Sequence, residues 1–172
     1  MNESKYEHIV HPFPPLYNSE SRILILGSLP SVKSREQMFF YGHPQNRFWK
    51  VMSTILQEPL PVTVPEKKAM LLGHHIALFD VIRSCDIEGS SDSSIRNVQV
   101  NDLSDIMKTT RIGNHIYVNG NKARDLYMKY TLPQTGIPCI TLPSTSPANA
   151  AFSVDRLVGI WEEKLYAAKA LK

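Results

Sequence analysis

The chain has 172 residues, which is enough to bury one sizeable core without disulfides or metal, and we expect a single domain over residues 1–172. Its composition, 42% hydrophobic and 20% charged, excludes global disorder. The net charge of +3 is compatible with an anionic partner but too small to identify one.

Cysteine usage and hydropathy indicate the cellular compartment in which the protein is expected. Cys85 and Cys139 form no CxxC pair, so neither a disulfide framework nor a zinc site is expected. The polar N-terminus MNESKYEH does not resemble a signal peptide, and no apolar run approaches the ~20 residues of a membrane span. We therefore expect a monomeric cytoplasmic protein with reduced thiols.

The first half of the chain is predicted to alternate strands and helices after an irregular lead-in. Residues 1–20 contain too many prolines for a helix or a central strand, and Phe13, Leu16 and Tyr17 are expected to pack them against the body. The predicted elements are a buried strand at 22–26, a helix at 46–57 with Phe48, Trp49, Met52, Ile55 and Leu56 on one apolar face, a helix from Pro65 to about Gly73, and a strand at 76–82 that runs into a turn.

The second half continues this alternation. The predicted elements are a loop at 88–94, a helix at 102–109, a strand at 115–120, a helix at 121–130, a strand at 137–142, a loop at 143–150 and a helix from about 153 to the end with Leu157, Trp161 and Leu165 on one face. Short, continuously apolar strands that alternate with helices predict a parallel sheet covered on both faces. Ligands of such folds bind at the carboxyl ends of the strands.

The stretch that follows the first strand, GSLPSVKSREQMFFYGHPQNRFWKV, is rich in turn-forming and aromatic residues. The Gly27-Ser28 turn is either a simple connection or a place where backbone groups approach a ligand. Three adjacent rings begin at Phe39, and they cannot all point into one core from a regular element. Asn46 directly precedes a helix, so it is either an N-cap or an amide held at the mouth of a cleft.

Basic and hydroxyl-bearing residues are the remaining candidates. Lys33, Arg35, Arg47 and Lys50 either contact phosphates or form a solvated face. The stiff segment Pro143-Ser144-Thr145-Ser146-Pro147 suits phosphate binding or insertion into a base stack. Histidine spacing fits no metal motif and no G-x-S-x-G occurs, so we expect no metal and no cofactor.

Taken together, these motifs resemble the uracil-DNA glycosylase superfamily, most closely its hypoxanthine-DNA (deoxyinosine) glycosylase branch. The resemblance rests on LILGSLPS followed by GHPQNRFW, and on LFDVIRSC, VNGNKA and LPSTSPANA, and it spans roughly residues 10–165. It implies a three-layer α/β/α sandwich with a short, mostly parallel four-stranded central sheet. It also implies a repair enzyme that flips a deaminated base out of DNA and hydrolyses its N-glycosidic bond.

One departure from the wider superfamily directs the choice of site residues. The first-motif turn usually supplies an Asn or Asp that positions water, whereas Leu29 stands here, as in the hypoxanthine branch, and the implied replacement is Asn46. The resemblance implies Asn46 as the catalytic residue, Gly27, Ser28, Phe40, Tyr41 and His43 as base-binding residues, and Ser31, Lys33, Arg47, Ser144, Thr145 and Ser146 as DNA contacts.

Three alternatives remain open at this point. The base removed is hypoxanthine, or else uracil or thymine mispaired with guanine. The chemistry is hydrolysis, or else a lyase reaction through the amine of Lys33 or Lys50. Finally, the cleft belongs to an enzyme or to a non-catalytic module that binds nucleic acid or a nucleotide.

Overall fold

The computed structural model describes residues 5–167. Its central sheet has four parallel strands in the order β3-β2-β6-β7. Residues of the two inner strands are nearly all buried, which explains why their sequences are continuous apolar runs. The strands are β2 (Ile23–Gly27), β3 (Ile76–Asp80), β6 (Ile116–Asn119) and β7 (Ile140–Leu142).

The register of this sheet brings the chain segments of the predicted site together. Gly27 at the end of β2 is paired with Asp80 at the end of β3, and Asn119 at the end of β6 is paired with Leu142 in β7. The turns that follow all four strands therefore meet at one edge. This confirms the predicted α/β fold with its four-stranded parallel sheet.

A second sheet was not predicted. It is antiparallel, in the order β1-β4-β5, and consists of β1 (Glu7–Val10), β4 (Ile82–Ile87) and β5 (Arg96–Val100). β1 lies within the lead-in that was expected to be irregular, so that expectation is corrected for residues 7–10. Phe13 and Leu16 are buried and Tyr17 is partly buried, so the lead-in does pack against the body.

The helices with long apolar faces lie where the sequence predicts them. They are α1 (Val32–Gln37), α2 (Phe48–Leu56), α3 (Val64–Gly73), α4 (Ser104–Thr109), α5 (Asn121–Leu126), α6 (Leu132–Thr135) and α7 (Val154–Ala167). The predicted face of α7 is fully buried, and that of α2 is buried apart from its last member, Leu56. α1 was not predicted, and α5 is continued by a π-helical turn at Tyr127–Thr131. No helix within residues 5–167 has both the length and the apolarity to cross a membrane.

Candidate active site

The carboxyl ends of the parallel strands open into a cavity of about 570 Å³. It is bounded by the turn after β2, the segment between α1 and α2, the turn after β6 and the loop after β7. Ten of the twelve predicted site residues line it: Gly27, Ser28, Ser31, Phe40, Tyr41, His43, Asn46, Ser144, Thr145 and Ser146. The cavity therefore lies at the carboxyl ends of the strands, where the sequence predicts a ligand to bind.

The two predicted residues outside the cavity lining are basic. Lys33 is exposed and its ammonium lies 3.4 Å from the Glu36 carboxylate, one turn along α1. Arg47 turns toward the loop after β7, where its guanidinium donates hydrogen bonds to the carbonyls of Thr145 (3.3 Å), Ser146 (2.7 Å), Asn149 (3.0 Å) and Phe152. Arg47 therefore holds this loop in place, which differs from the phosphate contact that was expected of it.

Asn46 directly precedes Arg47, the N-cap residue of α2, and lines the cavity. Its Oδ1 accepts the backbone N–H of Phe48 at 2.9 Å, which stabilises the start of α2. The same oxygen accepts the hydroxyl of Thr145 at 2.9 Å. Its Nδ2 has no hydrogen-bond partner within residues 5–167 and is not sealed from solvent. The two interpretations of Asn46 are therefore compatible.

Thr145 is the residue whose placement differs most from the expectation. Its side chain is fully buried and its hydroxyl is engaged within the protein, an arrangement that differs from the insertion into a base stack that was expected of it. Thr145 instead joins two amides, because Asn119 Nδ2 donates to its Oγ1 at 3.0 Å and its own N–H donates to Asn119 Oδ1 at 3.1 Å. The exposed residues at this point of the loop are Pro147 and Ala148, which also line the cavity.

Aromatic rings form part of the cavity wall. Phe40 is buried and is held by edge-on contacts with Phe13 and Phe39, whose ring centroids lie 4.8 and 5.4 Å from its own. Tyr41 has a left-handed backbone (φ 53°), and its ring stacks on Phe48 at 4.0 Å. The indole N–H of Trp49 donates to the carbonyls of both residues and so fixes this segment. Only Phe40 and Tyr41 of the three adjacent rings line the cavity.

Gly27 has no room for a side chain. A Cβ at this position would lie 2.5 Å from Asp80 Oδ1 and 3.3 Å from the Tyr41 hydroxyl. That hydroxyl is buried and makes no hydrogen bond of normal length in the part of the chain that the structure describes, although the Asn119 side chain is close enough to act on its pKa in the lowering direction. Burial, and secondarily the nearby Asp80 carboxyl, raise the pKa of Tyr41 well above its usual range. The tyrosine is therefore neutral at physiological pH.

Asp80 has a partner that sequence reasoning missed. His11, from the lead-in, places Nε2 2.7 Å from Asp80 Oδ2, and its Nδ1 lies 2.8 Å from the Phe13 carbonyl. A carbonyl only accepts, so Nδ1 is the donor in the contact with Phe13, and Nε2 is the atom that meets the carboxyl group. Nothing in the motif HPFPP singled out His11 for this contact.

The hydroxyls of the loop after β7 are oriented by its own backbone. Ser144 Oγ accepts the N–H of Ser146 at 3.1 Å, and Ser146 Oγ accepts the N–H of Ala148 at 3.2 Å, so each hydroxyl hydrogen is free to donate. His43 Nδ1 accepts the N–H of Gln45 at 3.1 Å. When the ring is neutral, its proton is therefore on Nε2.

Two cations and one anion complete the lining. Arg35, which was weighed as a phosphate contact, donates to the Pro30 carbonyl at 3.0 Å, and Lys122 was missed although VNGNK was expected at this edge. Asp92 lies on the loop between β4 and β5 and is exposed on one side; partial desolvation of its carboxyl raises its pKa, and the positive charge of Lys122 partly offsets the effect. Across residues 5–167, no three His, Cys, Asp or Glu side chains are grouped so as to hold a metal ion.

Comparison with known proteins identifies the family. The sequence profile of the uracil DNA glycosylase superfamily matches residues 14–164. The chain belongs to this superfamily. The cavity at the strand ends is therefore the candidate active site of a superfamily member, and Leu29 occupies part of its wall.

Two curated relatives and one solved structure refine the placement within the superfamily. A protein of Methanosarcina acetivorans named Hypoxanthine DNA glycosylase is 37% identical over 84% of this chain and 90% of its own length. Its namesake from Methanosarcina barkeri is 31% identical over 88% of this chain and 94% of its own. A solution NMR structure from M. acetivorans, provisionally assigned as a uracil DNA glycosylase, is 34% identical, has a TM-score of 0.73 and covers 90% of this chain and 95% of its own.

Proposed function

We propose that this protein is a DNA glycosylase that removes a deaminated base, hypoxanthine in the first place, and leaves an abasic site. The observation that carries the proposal is the cavity at the strand ends, where Asn46 meets an aromatic wall and a hydroxyl-rich loop. The chain belongs to the uracil DNA glycosylase superfamily, and relatives 37% and 31% identical to it are named Hypoxanthine DNA glycosylase.

The first step is extrusion of the base from the duplex, because its glycosidic bond is unreachable inside the stack. A deaminated base is poorly paired and therefore costs less to extract. The cavity of about 570 Å³ lies within the range of roughly 300–1,000 Å³ that is typical of small-molecule sites. Phe40 supplies the ring face beside the base, with Tyr41 next to it, and stacking on such a face contributes about 1–3 kcal/mol.

The second step breaks the bond between C1′ and the base. A largely dissociative cleavage gives an oxocarbenium-like sugar and a base that carries the electron pair of the broken bond. Water then adds to C1′ and releases a proton, and the departing base gains one. Hydrogen-bond donors around the base stabilise the developing negative charge, and Asn46 Nδ2 and His43 Nε2 are the side-chain donors assigned to this task.

Contacts with the DNA backbone come from the rim of the cavity. Ser144 and Ser146 are assigned to the phosphate that flanks the extruded nucleotide, and Arg35 and Lys122 add positive charge. The exposed pair Pro147-Ala148 is the part of the loop that fills the vacated stack. Gly27 and Ser28 bring the backbone close to the base, although their carbonyls already accept the N–H groups of Val81 and Ile82.

The geometry argues against Lys33 and Lys50 as the nucleophiles of a lyase reaction. Lys33 and Lys50 are exposed and do not line the cavity. An amine nucleophile must reach C1′ of the extruded nucleotide, so neither lysine is placed for this role. Borohydride trapping during the reaction is expected to yield no covalent protein–DNA adduct.

The decisive experiment measures abasic product from duplexes that contain inosine, uracil, xanthine or a G·T pair. The wild-type protein is expected to act on the inosine duplex, Asn46→Ala to lose that activity, and Asn114→Ala, a change at an exposed loop asparagine, to keep it. Binding to lesion DNA with no abasic product from any duplex would indicate a non-catalytic module instead.

Uracil removal is the second candidate, because one structural relative has a uracil glycosylase assignment. Leu29 argues against it as the main activity, since an apolar side chain stands at the turn where the wider superfamily has an amide or a carboxylate. Faster cleavage of the uracil duplex than of the inosine duplex would reverse the order of the two candidates.

The proposal assigns the chemistry to water and to this chain alone, acting as a single-domain monomer in the cytoplasm. The buried residues within 5–167 form one hydrophobic cluster, which supports the single domain. Activity in EDTA equal to that in its absence, and a sedimentation coefficient of one chain, are the expected results.

A further inference from the structure

Hydrogen bonds with a defined direction link Asn46, Thr145 and Asn119 across the site. An amide side chain can be built in two orientations, so its donor and acceptor ends have to be identified from their partners. Backbone N–H groups settle the question here because they can only donate. Phe48 N–H fixes Asn46 Oδ1 as an acceptor at 2.9 Å, and Thr145 N–H fixes Asn119 Oδ1 as an acceptor at 3.1 Å.

Because the acceptor oxygens of Asn46 and Asn119 are identified, the hydrogen bonds of the Thr145 hydroxyl between them can run in only one direction. Asn119 directs Nδ2 toward Thr145 Oγ1 at 3.0 Å, and nitrogen must be the donor. The Thr145 hydroxyl hydrogen is therefore available for Asn46 Oδ1, 2.9 Å away. Donation runs from Asn119 through Thr145 to Asn46. None of these three groups titrates, so their arrangement does not depend on pH.

This arrangement limits what Asn46 offers to the cavity. Its carbonyl oxygen already accepts two hydrogen bonds, from Phe48 and Thr145, whereas its Nδ2 has no partner in residues 5–167. We infer that Thr145, backed by Asn119, is a positioning residue that turns the Asn46 NH2 group into the cavity, so that Asn46 acts as a hydrogen-bond donor and not as the acceptor that activates water. This rests on the proposed function.

The chemistry of base release suits a donor. As the C1′–N9 bond of deoxyinosine breaks, its electron pair moves onto the purine, and an N–H aimed at a purine nitrogen or at O6 strengthens its bond as that charge grows. Water adds to C1′, and the proton it releases balances the proton that the purine takes up. No strong base is needed because the sugar cation is itself reactive toward water.

The first test uses Asn46→Asp, which keeps an oxygen for Phe48 and Thr145 but puts a second oxygen in place of the NH2 group. A donor role predicts that this variant is as slow as Asn46→Ala at neutral pH and gains activity as the pH falls, because only the protonated carboxyl can donate. A water-activating role predicts the opposite: activity at neutral pH that falls on acidification, which would overturn the inference.

Other groups that line the cavity also titrate or carry charge, and they are present in both variants. They are Arg35, Tyr41, His43, Asp80, Asp92 and Lys122. The pH profile of Asn46→Ala, measured on the same inosine duplex, therefore provides the baseline. The difference between the two profiles reports the group at position 46.

The second test separates positioning from general stability. Thr145→Val removes the hydroxyl at nearly constant volume and is expected to lower the single-turnover rate on inosine DNA about tenfold to a hundredfold, since small misplacements of a catalytic group have effects of this size. Duplex affinity should be unchanged, and Thr145→Ser should restore most of the rate. Thr131→Val is the matched control, because Thr131 is also buried, lies outside the cavity lining and has an unpartnered hydroxyl.

The outcomes distinguish this inference from the proposed function. No abasic product from wild-type protein on any duplex would remove both. An active wild type with Thr145→Val as fast as Thr145→Ser, per folded molecule, would remove the positioning role and leave the glycosylase activity in place. A lower melting temperature with an unchanged rate would likewise reduce Thr145 to a structural residue.

Discussion

His11 and Asp80 lie 69 positions apart, yet Nε2 of one is 2.7 Å from Oδ2 of the other, and their side chains are only 3% and 5% exposed. The contact ties the lead-in to the end of β3. It also fixes one oxygen of the Asp80 carboxyl and leaves the other next to Gly27. The lead-in, which was expected only to pack against the body, thus contacts a residue in the wall of the candidate active site.

Replacing His11 is expected to be strongly destabilising. His11→Ala leaves the Asp80 carboxyl buried without its partner, and breaking a buried pair in this way typically costs about 3–5 kcal/mol of unfolding free energy. Chemical denaturation measures the loss. The matched control is His8→Ala, which removes a His–Asp contact of similar length (2.8 Å to Asp86) at an exposed position and should leave the melting temperature unchanged within error. Equal effects of the two changes would show that burial does not set the strength of these pairs.

Arg47→Lys tests the assignment of Arg47 as the residue that holds the loop after β7. Lysine keeps the charge but cannot reach the four carbonyls that the guanidinium spans, so the loop should become more mobile. Faster hydrogen exchange at the amides of Asn149 and Phe152, which bond within the loop, is the expected readout. Lys50→Met, which removes a charge from the exposed side of α2, should leave these amides unaffected. Wild-type exchange in Arg47→Lys would return Arg47 to the role of a phosphate contact.

Gly27→Ala is expected to disrupt the junction between the ends of β2 and β3. The added methyl group would lie 2.5 Å from Asp80 Oδ1, and overpacking of this kind costs about 1–3 kcal/mol. Gly159→Ala is the control, because Gly159 lies within α7 with no atom near its Cβ direction, so alanine should raise the unfolding free energy by about 0.5–1 kcal/mol. Thermal denaturation of both variants gives the comparison, and a neutral Gly27→Ala would show that the Asp80 side chain can move aside.

Tyr41→Phe is expected to be neutral or stabilising. The Tyr41 hydroxyl makes no hydrogen bond of normal length within residues 5–167, and the Asn119 side chain that acts to lower its pKa is already paired with Thr145, so removal of the hydroxyl breaks no full-strength bond. By contrast, Tyr127→Phe should cost about 1 kcal/mol, because the Tyr127 hydroxyl donates to the Ile137 carbonyl at 2.6 Å. Denaturant titration of the two variants measures the difference. A loss from Tyr41→Phe as large as that from Tyr127→Phe would contradict the assignment.

Tyr41 also predicts the direction in which the free energy of unfolding changes with pH. The pKa of Tyr41 is raised in the folded protein, so the folded state keeps a proton that the unfolded state releases. Stability is therefore complete below the ordinary tyrosine pKa of about 10 and falls as the pH rises above it. Unfolding free energies measured across this alkaline range should decline less steeply in Tyr41→Phe than in the wild type.

The parts of the fold that the sequence predicted are those with local signals. β2 and α7 each have a pattern of apolar residues that identifies them without knowledge of any partner. β1 and β5 lack this: β1 has the single buried residue Ile9, and both strands exist because they pair with β4. α1 is six residues long and has only one buried residue, Ser34, so no apolar face could reveal it.

The site residues fall into the same two groups, those that a local motif predicts and those whose placement depends on distant contacts. Its location followed from the strand ends, and Asn46 followed from a motif, because both are features of short contiguous stretches. The orientation of Arg47 and the burial of Thr145 depend on contacts across about a hundred positions of the chain, and a lone arginine or threonine has no local signature of such a partner. The pairing of His11 with Asp80 was missed for the same reason.

Arg47 and Asn46 are neighbours at the start of α2, and both are bonded to the loop that follows β7. In the proposed function, DNA contact and catalysis therefore depend on the same loop. A nucleic acid that seats badly against the loop would displace the amide along with it, so faulty engagement would switch off cleavage without any separate checkpoint. The substrate selectivity of such an enzyme would depend on these contacts with the loop after β7 as much as on the shape of its pocket.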